Sequence, residues 1–198
     1  MLHYLSSSPF TFLSLAVIII FSITLHELAH GEAAIAQGDN TPTKTGHMTL
    51  NPVVHMGWPS LVFLLIAGVA WGQMPVNPDR FREGRRGRIL VAAAGPLSNL
   101  ALAFISLVFY NFEKMAMTET SFLAEFWYLA AGTNLMLFFF NLLPLPPLDG
   151  FQIAKEFFPG FKAFEGSQFG LFSLMLLSIL GLLEGLHILV SSILGLLT

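Results

Sequence analysis

Residues Tyr4–Leu25 carry no charged side chain, and the run leads without a break into His26-Glu27-Leu28-Ala29-His30. Ionisable groups that continue an apolar stretch long enough to span a bilayer are costly there, and mark functional positions by default. On a helix, residues four apart share a face, so both imidazoles can reach one zinc ion at about 2.0–2.1 Å. Glu27 sits beside them, placed to take a proton from a water at such a site. The five-residue pattern is short, and a polar helix end at the membrane edge would also produce it. Its place at the end of a charge-free span favours the metal.

Composition fits that reading. The chain has 198 residues, 55% hydrophobic and only 11% charged, against about 25% charged in a soluble domain. A cytosolic enzyme, a disordered chain and a nucleic-acid binder are excluded on that balance. There is no cysteine, so disulfides, thiolate chemistry and Cys-type metal sites are excluded, and a metal must be held by His, Asp or Glu. The apolar start is read as a membrane helix and not as a cleaved leader, since no basic residue precedes it; the first is Lys44.

The expected fold is an all-α polytopic membrane protein, a bundle of about four to six transmembrane helices in a single domain over 1–198, with a short β or re-entrant region after the first helix. The expected elements are a helix over 4–37, the β/re-entrant region over 41–75, a helix over 89–112, a broken helix over 126–155, and a C-terminal helix or helix pair over 169–197. Gly46–Leu50 is read as a short strand. Pro59–Gly72 is apolar but too short for a full span. The last stretch is long enough for one tilted helix, or for two broken near Gly185.

A catalytic zinc needs a third protein ligand and an open position. Asp149 is the candidate, as the one carboxylate between Phe126 and Lys155. Just before it stand Pro144, Pro146 and Pro147, which cannot continue a helix. Unwound backbone at membrane depth is tolerated where it is buried in protein or lines a wet cavity. A helix-terminating turn at the interface is the plainer alternative.

Taken together, the chain resembles the site-2 proteases, the intramembrane zinc metalloproteases. The likeness rests on His26–His30, on Thr49-Leu50-Asn51-Pro52 with His55, on Pro75-Val76-Asn77-Pro78, on Ala94-Gly95-Pro96 with Asn99, and on Asn141–Gly150, in that order along the chain. It is to a compact form without the PDZ or nucleotide-sensing domains that some relatives carry. The resemblance implies His26, His30 and Asp149 as ligands of one zinc ion, Glu27 as general base, and Asn141 as a polar group near the scissile carbonyl. Relatives commonly show Asp-Pro soon after the histidine at His55; here Met56-Gly57-Trp58-Pro59 follows.

The implied activity is a zinc metalloendopeptidase that hydrolyses peptide bonds within or near transmembrane segments. Its implied partners are a transmembrane protein substrate and the lipid bilayer, with no nucleic acid. The competing reading is a non-proteolytic membrane zinc-binding protein or a metal transporter; a pure binding site would not need Glu27.

Topology follows from charge. Loop 38–88 holds six of the nine Lys and Arg, five of them between Arg80 and Arg88, and is expected in the cytoplasm. The two halves of the site can meet at one depth only if their helices run parallel, with the 89–112 helix crossing between them. The expected location is a bacterial or archaeal cell membrane, with the site open to the cytoplasm. His3, His47 and His55 are possible further ligands, although His55 is better read as a hydrogen-bonding group. Asn99 bonds across helices, helps to hold the site, or simply packs, and Glu184 with His187 either pair or flank a turn at Gly185.

Overall fold

The computed structural model describes residues 7–116, 121–164 and 180–198. Helix α1 (Pro9–Ala36) starts from Ser8, whose hydroxyl accepts the Thr11 N–H, with proline in its first turn; a proline there loses no intrahelical bond. It is followed by a single turn, α2 (Thr41–Lys44). Helix α3 (Pro52–Ala67) is capped by Asn51 and interrupted by non-helical backbone at Gly57. Then come α4 (Arg85–Ala116), α5 (Phe122–Asn141), α6 (Asp149–Phe157) and α7 (Leu182–Leu197). Helices α1, α4 and α5 are long and apolar enough to cross a membrane, and α3 and α7 are shorter apolar helices. The protein is an integral membrane protein built as a helical bundle.

Contacts along the bundle give the helix directions. Glu113 accepts from Ser121, Phe109 stacks on Trp127, and Asn99 meets Asn134, so α4 and α5 are antiparallel. Thr11 lies against Glu125, His26 against Asn99 and His30 against Val91. Helix α1 is therefore antiparallel to α4 and parallel to α5. In the half of the bundle near Glu113 and Glu125, an apolar core of Ala103, Leu107, Ala131, Leu135, Val190 and Leu194 joins α4, α5 and α7.

Three features differ from the sequence reading. Gly46–Leu50 is no strand, and none occurs among the described residues: Gly46 turns with φ 73°, and the Thr49 N–H returns to the His47 carbonyl. A strand needs a neighbour to take its backbone groups, and none of the described residues forms one. Gly185 does not break the last helix; it lies inside α7 and donates to Gly181, which caps that helix with φ 91°. The part of the expected 169–197 element before residue 180 lies outside the described residues, as does His3. Finally, the break before Asp149 is complete. Helix α5 ends at Asn141, and Asp149 opens the separate helix α6.

Beyond α1 the chain is tied down by Asp39, which is fully buried. Its carboxylate accepts from the Thr41 N–H and hydroxyl and from the Asn77 N–H at 2.6 Å, with Arg80 at 3.6 Å. Burial pushes its pKa up, but those hydrogen bonds outweigh it, and the group is held below the usual carboxylate range. Its stabilising contribution is thus complete above the unfolded-state pKa near 3.9 and is lost as pH falls through the lower folded value. Asp39→Ala is expected to lower stability by about 1.5–3 kcal/mol, the usual range for hydrogen bonds to a charged group, and to open residues 76–82 to proteolysis. The loss should shrink below pH 4; an unchanged thermal midpoint at pH 7 would remove this anchor.

Candidate metal centre

His26 and His30 lie on the same face of α1, one turn apart, and both are buried. Asp149 reaches them from the first turn of α6. The two Nε2 atoms are 3.1 Å apart; the Asp149 oxygens lie 3.0 Å from His26 Nε2 and 3.3 Å from His30 Nε2. Donors about 2.0–2.1 Å from a tetrahedral zinc ion stand roughly 3.3 Å from each other, so the triangle has the size that zinc requires.

The far ring nitrogens are spoken for. His26 Nδ1 lies 2.7 Å from Asn99 Oδ1 and His30 Nδ1 lies 2.7 Å from the Val91 carbonyl. Both partners are acceptors, so each ring carries its proton on Nδ1 and turns an Nε2 lone pair toward the triangle, the form that binds metal. Gly95 of α4 faces the same spot, and a Cβ there would overlap both Nε2 atoms. The space that the ligands converge on is the space a side chain at Gly95 would fill. The donor set, the tautomers and that space all fit a zinc ion.

Asp149 owes its position to the loop before it. Gly150 lies against the Leu142 and Leu143 carbonyls, where a Cβ would collide, so residues 142–148 fold back onto the start of α6. At the other end of α6, Arg88 donates twice to Glu156, at 2.7 and 2.8 Å, and this pairing holds the Glu156 carboxyl below its usual range. Helix α6 is thereby stapled to α4, with the Asp149 carboxylate at one end and the ion pair at the other.

Glu27 and Asn141 line the same cavity of about 480 Å³ as the three candidate ligands. That volume is typical of ligand sites. Its remaining wall is the irregular segment 69–77, held to α3 by the Ser60 hydroxyl on both Trp71 backbone groups and by Gln73 N–H on the His55 carbonyl. His47 and His55 pack against each other, and His55 Nε2 donates to the Thr49 carbonyl; neither lines this cavity. Glu184 and His187 lie on α7 and do not line the cavity. The role of Asn134, whose carbonyl oxygen accepts from Asn99, was missed. It was legible as the polar residue seven positions before Asn141, on the same face of an apolar helix.

Comparison with known proteins then gives the family. Residues 111–183 match the profile of peptidase family M50. "Putative zinc metalloprotease YwhC" of Bacillus subtilis is 42% identical over 152 residues, 73% of this chain and 69% of the relative. "Putative zinc metalloprotease Rip2" of Mycobacterium tuberculosis is 32% identical over 143 residues, 67% of this chain and 52% of its own length. MJ0611 of Methanocaldococcus jannaschii, named in the same way, is 34% identical over 87 residues, 44% of this chain and 42% of the relative. The chain therefore belongs to peptidase family M50, the site-2 proteases. It spans about half the length of Rip2. No solved structure matches it.

Gly95→Ala tests the position of the metal space. Alanine is about 0.8–1.0 kcal/mol the better residue in a helix interior, so α4 should persist while zinc is lost. Full zinc content in the folded variant would put the ion elsewhere.

Proposed function

We propose that this chain is an intramembrane zinc endopeptidase that hydrolyses peptide bonds within or near transmembrane segments of membrane proteins. The observation that carries the reading is the convergence of His26, His30 and Asp149 beside Glu27 in one cavity among membrane helices. A single zinc ion held by those three ligands would supply the Lewis acid that polarises the scissile carbonyl and acidifies water. Glu27 accepts the proton of the attacking water and returns a proton to the leaving amine. Asn141 commits one amide N–H to the Leu137 carbonyl at 3.0 Å; the other remains to donate to the peptide oxygen as charge develops on it. A carbonyl inside an intact helix is already hydrogen-bonded, so the substrate must unwind locally to be cut.

Depth and charge support an opening toward the cytoplasm. Six residues separate His30 from the end of α1 at Ala36, about 9 Å of helix, whereas Pro9 is about 30 Å away. The near end of the bundle carries Arg80–Arg88, and basic loops stay inside.

Glu27→Gln is expected to keep one zinc per chain and to lower cleavage of a co-expressed membrane substrate by about 10²- to 10⁴-fold, the usual share of a general base. Turnover within tenfold of the unaltered protein would end that role. His26→Ala and Asp149→Ala should lose zinc and cleavage together.

The chain has no cysteine of its own, so single cysteines can report sidedness. One at Arg86 should react with impermeant thiol reagents only from the cytoplasm, and one at Met115 only from the opposite face. Reaction of both from one side would overturn the orientation.

A further inference from the structure

The ligand His26 is oriented by a hydrogen-bond chain that ends on a backbone carbonyl of another helix. The Ala130 carbonyl of α5 can only accept, and it takes Asn134 Nδ2 at 2.9 Å. That fixes the amide plane of Asn134 and turns its Oδ1 toward α4, where it accepts Asn99 Nδ2 at 3.1 Å. With its NH₂ so committed, Asn99 presents Oδ1 to His26 Nδ1 at 2.7 Å. Reversing any one amide would set acceptor against acceptor, or donor against donor. The members are 0%, 2% and 7% exposed for Asn99, Asn134 and His26, so a mismatched link would leave buried polar groups unpaired. His30 needs no such chain, since the Val91 carbonyl fixes its Nδ1–H directly.

We propose that Asn134 is a positioning residue of the metal centre: it sets the direction of the Asn99 amide, and through it the His26 tautomer that leaves Nε2 for the metal. The inference rests on the zinc reading above and adds a residue that touches neither metal nor substrate. Without the Asn134 acceptor, Asn99 is released to turn its NH₂ toward His26. The ring would then meet a donor at Nδ1 and carry its proton on Nε2, where the metal should bind.

The test is zinc affinity of the full chain in detergent, by competition with a chelator. Asn134→Leu should weaken zinc by about 10- to 100-fold, the usual effect of removing an outer partner of a metal-bound histidine. Asn134→Asp, whose protonated carboxyl can donate to Ala130 and accept from Asn99, should stay within threefold of the unaltered chain. In an Asn99→Leu background, Asn134→Leu should add less than threefold, because residues that act through one another are not additive. Helical content and thermal midpoint of the metal-free proteins check folding; should the leucine variant fail to fold, Asn134→Ala carries the same comparisons. An Asn134→Leu affinity within threefold of the unaltered chain, an aspartate variant as weak as the leucine one, or full additivity in the double variant would overturn the relay alone. An unaltered chain that binds no zinc would overturn both the relay and the metal reading.

Discussion

Two imidazole nitrogens and a carboxylate face one another across about 3 Å in the interior of a membrane bundle, and every neighbouring element is arranged to make that tolerable. Bilayer lipid offers no hydrogen bonds, so polar groups at this depth must be matched within the protein. Helix α1 brings two donors with the 3.6-residue period alone. The third requires the chain to leave α5, unwind through residues 142–148 and start again at Asp149. The unwound stretch is packed against Gly150, and the new helix is stapled at its far end by Arg88 and Glu156. Helix α4 completes the arrangement from the other side with a glycine, a backbone carbonyl and an asparagine, each matched to one need of the two histidines.

What was legible in the sequence follows from how local each signal is. The His26–His30 pair depends on one helical turn, and a helix was assured by the apolar run around it. Asp149 was legible by scarcity, since few carboxylates occur among these apolar segments. That it would begin a helix rather than end one was not, because three prolines show only where a helix stops. Gly46–Leu50 was misread for a tertiary reason. Its residues tolerate extended backbone, but a strand is made by its partner, and the described residues supply none there. Of the two alternatives for the last stretch, a break near Gly185 is not seen: Gly185 lies inside α7, which starts from Gly181 with a positive φ. A bond from Asn99 across helices was legible, but not its partner, since Asn134 lies 35 residues away on another helix, beyond any period the sequence displays.

The asymmetry of the bundle bears on what the site can do. Along α4, Asn99 is followed on the same face by Ala103 and Leu107; along α5, Asn134 stands beside Ala131 and Leu135. The polar layer at the histidines is therefore capped within one helical turn by a close-packed apolar layer that α7 seals with Val190 and Leu194. A metal transporter needs polar positions in succession through the membrane, whereas the described residues of this half bury hydroxyls (Ser14, Ser22, Ser106) and no ionisable group. On the other side, Arg88, Gln152 and Lys155 join the cavity lining, and the irregular segment 69–77 replaces a helix as its wall. Among the described residues, a cleft lined by polar groups toward Arg88 and bounded by apolar packing on the other side fits the proposed hydrolysis better than the passage of an ion. The presence of Glu27 beside the donor triangle fits the same reading: a carboxylate there would attract a cation, but the three donors already suffice to hold it, and proton transfer from water requires a group in that place.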